Sequence, residues 1–217
     1  MKQTIAIIGA TGKMGRALAT HLAGSKYRLL LFSNHSEEAK LLMEEIRQQN
    51  PDSDVECSGC PHEAGWEADI IIPAVPYKAE KEVAGMVADV ATQKIVISIS
   101  NPFNENYDGL LTRPGISAAE ELQQYLPHAK VVKAFNTNSA QSFFHEREDS
   151  RPDAFIAGDD EESVNIVKEL VEAAGYRPLV AGKLAASQTL EQMTLLLLQL
   201  GKRNDCNREA AWKILNN

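Results

Sequence analysis

The chain has 217 residues, 44% of them hydrophobic, and carries 22 Lys+Arg against 30 Asp+Glu for a net charge of −8. A chain of this length buries roughly 70% of its unfolded surface, enough for one large domain, and its acidic balance with no basic block excludes nucleic-acid binding through phosphate neutralisation. No apolar run reaches the roughly 18 residues that span a bilayer, the first apolar stretch is too short for a secretory signal, and three cysteines do not make a disulfide framework. The expectation is a cytoplasmic protein with neither a membrane nor a nucleic-acid partner. An anionic cofactor stays open, because backbone N–H groups hold phosphates without net positive charge.

In chain order, short β-branched runs alternate with longer amphipathic segments. Strands are predicted at Thr4–Ile8, Arg28–Phe32, Ser53–Cys57, Asp69–Ile72, Lys94–Ile99, Lys130–Ala134, Asp153–Ala157 and Arg177–Val180. Helices are predicted at Gly12–Ala23, Ser36–Gln49, Tyr77–Ala91, Ala118–Leu126, Glu161–Ala174 and Ala185–Gly201. "IAII", "DIII" and "KIVISIS" are apolar on both faces, as buried parallel strands are. The pattern predicts an α/β fold: a single-domain, Rossmann-type, doubly wound and mainly parallel sheet of about eight strands. The alternation runs through residues 1–182, and the remaining segment, 183–217, is too short for its own core. Its helices are expected to pack on the same domain or on a dimer partner.

The first strand runs into "GATGKMG", with Gly9, Gly12 and Gly15 spaced one residue wider than the usual dinucleotide fingerprint. Gly9 permits the tight turn, Gly12 admits a pyrophosphate to the backbone, and Gly15 allows helix to pack closely on strand. Thr11, Gly12, Lys13 and Met14 then present N–H groups at a helix N-terminus, where the dipole attracts phosphate. An NAD site carries Asp or Glu at the end of its second strand. Here that tip reads Ser33, Asn34, His35, Ser36, whose hydroxyls and amide can hydrogen-bond a 2′-phosphate that a carboxylate would repel. Arg16 and Lys40 are further candidate partners. The expected cofactor is NADP(H).

Short-chain reductases open with a similar glycine turn and use a Tyr with a Lys four residues on. Only Tyr77 and Lys81 fit that spacing, and they sit just past the fourth strand, at the very start of a helix. Their pairing reads as coincidence, so no catalytic acid or base is assigned.

"GATGKMGRALATHLA", "ADIIIPAVPYKA", "KIVISISNPF", "KVVKAFNTNSA" and "FIAGDDEESVNIVKELVEAAGYRPLVAG" occur in this order. The set resembles the NADPH-dependent oxidoreductase family that includes coenzyme F-420-dependent NADP reductase and the cytosolic reductase domain of membrane ferric reductases. The resemblance covers about residues 1–200. It implies a single Rossmann-type domain and hydride transfer between NADP(H) and a flavin or deazaflavin ring. Such ring-to-ring transfer needs positioning more than acid–base groups. It further implies that Thr11 to Met14 bind the pyrophosphate and that Ser33 and Asn34 bind the 2′-phosphate. Relatives carry Ser-Arg-Arg where this chain has Ser33, Asn34 and His35. Ala74, Val75 and Pro76 are expected beneath the cofactor ribose, and Ser100, Asn101 and Pro102 with Asn136, Thr137 and Asn138 beside the nicotinamide. By its residues alone, "FNTN" also reads as an Asx turn.

"CSGCPH" spaces Cys57, Cys60 and His62 as a metal or redox pair could, but no second cluster is near and Cys206 is remote. Pro61 and Gly65 predict an irregular loop there, and no metal site is assigned. "GDDEES" reads as dipole-favoured capping of a helix start. "QTLEQMTLLLLQLGK" is apolar almost all round and is expected to be buried, closing the core or forming a homodimer interface. The reading is an NADP-dependent oxidoreductase acting on a small redox acceptor, with an NADP-binding redox-sensor module and a short-chain-type carbonyl reductase as alternatives.

Overall fold

A computed structural model describes residues 2–144, 151–204 and 210–215. β1 (Thr4–Ile8), α1 (Lys13–Ala23), β2 (Arg28–Phe32), α2 (Ser36–Gln49), β3 (Asp54–Cys57), α3 (Pro61–Glu67) and β4 (Ile70–Pro73) build the first half. α4 (Tyr77–Val87), β5 (Ile95–Ser98), α5 (Ala118–Tyr125), β6 (Lys130–Lys133), β7 (Asp153–Gly158), α6 (Glu161–Ala173), β8 (Arg177–Gly182) and α7 (Ser187–Arg203) complete it. Short 3₁₀ turns precede β7 at Ala140–Phe144 and α7 at Leu184–Ala186.

The strands form one eight-stranded sheet in the order β3-β2-β1-β4-β5-β6-β7-β8, with every pair parallel except β6 and β7. This is the doubly wound architecture that the alternation predicts. Strand order reverses beside β1, which pairs Ile5 with Leu29 on one side and Ile5 with Ile70 on the other. In sheets of this order ligands bind in the crevice outside the carboxyl ends of the strands at that reversal, which here are β1 and β4. β1, β4 and β5 are buried along their whole length, because helices cover both faces.

Ile5 and Ile7 point into a core shared with Leu18 and Leu22 of α1, Ile46 of α2 and Val167 of α6. Ala6 and Ile8 point to the opposite face, against Ala64, Val83 and Leu122 of α3, α4 and α5. A third cluster joins Phe155 and Ala157 of β7 to Leu190 and Met193 of α7 and to Trp212. At the far edge, Arg177 holds the buried Asp153 carboxylate at 2.6 and 2.8 Å, and the backbone N–H of Ile214 donates to it at 2.7 Å. α6 starts on Asp160, whose carboxylate accepts from Ser163 N at 2.9 Å, so the acids of "GDDEES" sit at a helix start.

Three expectations change. The stretch after β3 is helix, not irregular loop: Pro61 occupies the first turn, where its missing N–H costs nothing, and Cys60 Sγ accepts from Glu63 N at 3.4 Å. Gly65 is there for packing, since a Cβ would lie 3.1 Å from Val90 and 3.3 Å from Val87. α4 ends at Val87, four residues early, in a turn that leads to Gln93 at φ 61. α7 is not buried all round. Leu190, Glu191, Thr194 and Leu195 face inward, while Leu196, Leu198 and Leu200 are exposed. Among the described residues no helix is long and apolar enough to cross a membrane.

Candidate functional site

The glycine turn is sewn between two strand ends. Gly9 N and Ala10 N both donate to Phe32 O at 2.9 Å, and Ala74 N donates to Ile8 O at 2.7 Å. Gly9 has φ +90, in the left-handed region that glycine alone occupies at little cost. A Cβ there would also lie 2.7 Å from Ala74 O. At Gly15 a Cβ would collide with the carbonyl oxygen of Gly9, so only glycine lets α1 seat on the turn. Gly12 is exposed at the N-cap of α1, with no side-chain cap and no acid in the first turn. By contrast, Ser117 caps α5 with a full capping box, and Asp160 caps α6. The N-terminus of α1 thus offers bare N–H groups and an uncompensated dipole beside the crevice, which fits a pyrophosphate.

Thr11 Oγ1 lies 2.7 Å from Ser33 Oγ, and His35 N donates to the same Ser33 oxygen at 3.2 Å. Ser33 is therefore buried and fixed, whereas Asn34 and His35 are exposed at the end of β2. No carboxylate occupies that tip, which fits a 2′-phosphate. Arg16 pairs with Glu45 at 2.6 Å and Lys40 with Glu37 at 2.8 Å, so both charges are already engaged at the rim. Ala74 and Val75 are half-buried and Pro76 is exposed at the N-cap of α4. All three leave β4 directly beside the glycine turn.

The loops after β5 and β6 meet through a clasp. Asn101 Nδ2 donates to Asn136 O at 2.8 Å, and Asn136 Nδ2 donates back to Asn101 Oδ1 at 3.0 Å. Phe135, fully buried, takes φ +59 just before it. A left-handed aromatic residue costs roughly 1–2 kcal/mol. Its ring is held in a cluster with Phe143 and Tyr176. This forced turn aims Asn136 at Asn101. Asn136 Oδ1 remains buried without a hydrogen-bond partner among the described residues, which fits a polar ligand group at this point. Ser100 and Pro102 flank Asn101 and are buried. Thr137 is buried, and Asn138 Nδ2 is spent on Asp153 O at 2.9 Å. The "NTN" triplet therefore divides: its first residue joins the clasp, and its last ties the loop to β7.

Beneath the clasp lies a network that periodicity gave no reason to expect. Lys133, the last residue of β6, is 0% exposed. Its ammonium donates to Ser100 O at 2.6 Å, Glu191 Oε1 at 2.7 Å and Ser98 Oγ at 3.5 Å. Both Glu191 oxygens accept from Ala118 N, at 3.0 and 3.1 Å. Glu80 of α4 is buried against the same group. Burial pushes its carboxyl up to about 7, and the nearby Lys133 charge only partly offsets this. The available signal was a lysine closing an apolar strand and a glutamate inside an apolar helix. Each reads alone as solvent-facing.

Elsewhere, Tyr77 donates to Glu121 Oε2 at 2.5 Å, and Lys81 lies over the Tyr125 ring at 5.7 Å. Burial and the Glu121 carboxylate push the Tyr77 phenol up, the reverse of what a proton donor assisted by a lysine needs. Cys57 contacts Met43, and burial pushes its thiol up. Among the described residues no three His, Cys, Asp or Glu side chains are grouped to hold a metal. Cys206 lies outside the described residues.

The family model for coenzyme F420-dependent NADP oxidoreductases matches residues 4–102. The F420-dependent NADP reductase of Methanothermobacter thermautotrophicus is 28% identical across 100% of this chain and 96% of its own length. That of Methanocaldococcus jannaschii is 30% identical across 90% of this chain and 91% of its own. A crystal structure from Arthrobacter sp. FB24, of a candidate F420-dependent NADP reductase, superposes with a TM-score of 0.81 over 98% of this chain and 99% of its own; at 22% identity it shows the fold alone. Full-length similarity to the reductases, together with the acid-free second-strand tip, makes this chain an NADP-dependent oxidoreductase that belongs to the coenzyme F420-dependent NADP oxidoreductase family.

Proposed function

We propose that the protein transfers hydride between NADPH and a deazaflavin or flavin ring. The observation that carries this reading is the Asn101–Asn136 clasp. The surface beside the crevice is built of amides, backbone and proline, and among the described residues the Tyr–Lys pair of short-chain spacing, Tyr77 and Lys81, is engaged with Glu121 and Tyr125 instead. NADPH, when bound, supplies the hydride, and the acceptor ring is reduced by it together with one proton from solvent. The chain's own contribution is positioning, since rings held at about 3–3.5 Å in the right orientation need little further assistance.

In this reading, Thr11, Lys13 and Met14 hold the pyrophosphate on their N–H groups, with Gly9 and Gly15 shaping the turn; the Gly12 N–H donates to Gly9 O at 3.1 Å, so Gly12 serves by leaving the backbone open to the phosphate. Ser33, Asn34 and His35 receive the 2′-phosphate. Ala74, Val75 and Pro76 pass beneath the ribose. Ser100, Asn101 and Pro102 together with Asn136 orient the nicotinamide, and Thr137 and Asn138 fix the second loop. We assign residues 1–182 to the NADP-binding unit, and of the segment 183–217 the described residues 183–204 and 210–215 pack on it. The exposed leucines of α7 are the face we assign to a homodimer, which sedimentation of the L196E/L200E variant tests by its conversion to monomer.

Stopped-flow mixing of NADPH with coenzyme F420, FMN, FAD and a ferric chelate tests the function. Oxidation by a deazaflavin or flavin is expected. Tight NADPH binding with no oxidation by any acceptor overturns the enzymatic reading in favour of a redox sensor. Gly12→Asp sets a carboxylate at the α1 N-terminus and is expected to abolish NADPH binding in calorimetry.

A further inference from the structure

We propose that Lys133 is a positioning residue for hydride transfer: through Ser100 O and the Glu191 carboxylate it fixes the loop after β5 relative to the loop after β6. The inference rests on the assignment of those two loops to the nicotinamide side of the site.

The ammonium has three donors, and three acceptors surround it: Ser100 O, Glu191 Oε1 and Ser98 Oγ. Two of these belong to the end of β5 and its loop, and the third belongs to α7. Glu191 is itself fixed from the far side by Ala118 N at the start of α5. Three residues further along α7, on the same helix face, Thr194 Oγ1 reaches Asn136 O at 3.2 Å. Asn136 is in turn clasped to Asn101. One helix face thus grips both loops, the first through Lys133 and the second directly.

Stability gives no reason for this arrangement. A buried ion pair is commonly matched or exceeded in stability by apolar side chains of similar volume, and a methionine would fill the space of Lys133. What an apolar side chain cannot do is hold a backbone carbonyl at one place and angle. The held carbonyl belongs to Ser100, immediately before the clasp residue Asn101. Errors of about 1 Å in such placement cost on the order of 100-fold in rate.

The test compares wild type with K133M/E191Q, which removes both buried charges and keeps an acceptor for Ala118 N; K133Q, with a shorter neutral donor, serves if the double variant does not fold. NADPH affinity is expected within about twofold of wild type, because the pyrophosphate cradle is untouched. Single-turnover reduction of coenzyme F420 is expected to fall about 10- to 100-fold. In the cofactor-free protein, amide hydrogen exchange across 99–104 is expected to accelerate about tenfold or more, without a matching change in β1. A folded variant with wild-type rate and wild-type exchange overturns the proposal. If wild type itself reduces neither deazaflavin nor flavin, the proposed function fails, and the exchange comparison still decides whether Lys133 fixes the loop.

Discussion

The hydroxyls of Thr11 and Ser33 meet at 2.7 Å and join the glycine turn to the end of β2. The bond draws the tip of β2 against the turn, so that Asn34 is the first exposed side chain beyond it. A 2′-phosphate resting there meets an amide. Asn34→Asp changes one atom on an exposed residue, so stability should stay within about 0.5 kcal/mol. Its carboxylate would repel the phosphate, and NADPH affinity is expected to fall about tenfold or more at low salt. NADH affinity should hold or rise, because the ribose 2′-hydroxyl of that cofactor can donate to a carboxylate. Paired calorimetric titrations decide the matter; equal losses for both cofactors would place the 2′-phosphate elsewhere.

Gly15→Ala probes the seating of α1. The added Cβ would meet Gly9 O and lie 2.9 Å from Ala10 Cα, both parts of a turn already bonded to Phe32 and Ala74. Neither backbone atom can yield cheaply, so α1 should shift away from the turn. Overpacking of this kind costs about 1–3 kcal/mol, and the displaced N–H groups should weaken NADPH binding by about tenfold or more. Chemical denaturation and calorimetry read the two effects. An unshifted denaturation midpoint would mean that the helix–turn contact is looser than it stands here.

Much of this was legible in the chain because local pattern and final contact coincide. β1, the glycine turn and α1 form one uninterrupted stretch, and α2 begins and ends where its apolar spacing predicts. α3 was illegible because Pro61 and Gly65 read as breakers. A first-turn proline and a glycine packed against Val87 and Val90 are compatible with helix, but only the tertiary partners reveal it. The clasp and the buried network were illegible for a different reason. Asn101 and Asn136 stand 35 residues apart and Lys133 and Glu191 stand 58 apart; the pairing of β5 with β6 makes the first two neighbours, and the packing of α7 on the sheet makes the second two. Nothing in the spacing of "KVVKAFNTN" distinguishes a lysine that holds a backbone carbonyl from one that faces water.

Tyr77→Phe separates ring-to-ring hydride transfer from carbonyl reduction. The Tyr77 hydroxyl donates a hydrogen bond to Glu121 Oε2 at 2.5 Å, and Lys81 is turned toward Tyr125 instead. With the phenol pushed up by burial and by Glu121, it is poorly suited to donate to a substrate. The single-turnover rate with coenzyme F420 is expected to stay within about twofold of wild type. Stability should drop by about 1–2 kcal/mol from the lost hydrogen bond to a carboxylate. A rate loss of 100-fold or more would restore Tyr77 as a proton donor.

Glu80 should make stability depend on pH across a defined window. Burial lifts its carboxyl to about 7 in the folded protein, whereas in the unfolded chain it titrates near 4.3, as glutamate ordinarily does. The carboxyl faces Lys133, Glu191 and Glu121, so its neutral form adds no further negative charge to that group. Because the folded value is raised, the stabilisation is fully present below about pH 4.3 and is lost as pH rises to about 7, beyond which the loss is constant. The shift corresponds to an upper limit of about 4 kcal/mol between the two plateaus. Glu80→Gln keeps the shape of the neutral acid and removes the titration. In urea denaturation at pH 5, 6, 7 and 8, wild type should therefore lose stability relative to the variant, with the gap levelling above pH 7. Parallel curves for the two proteins would show that Glu80 is already ionised at pH 5, with Lys133 shared between two charged carboxylates.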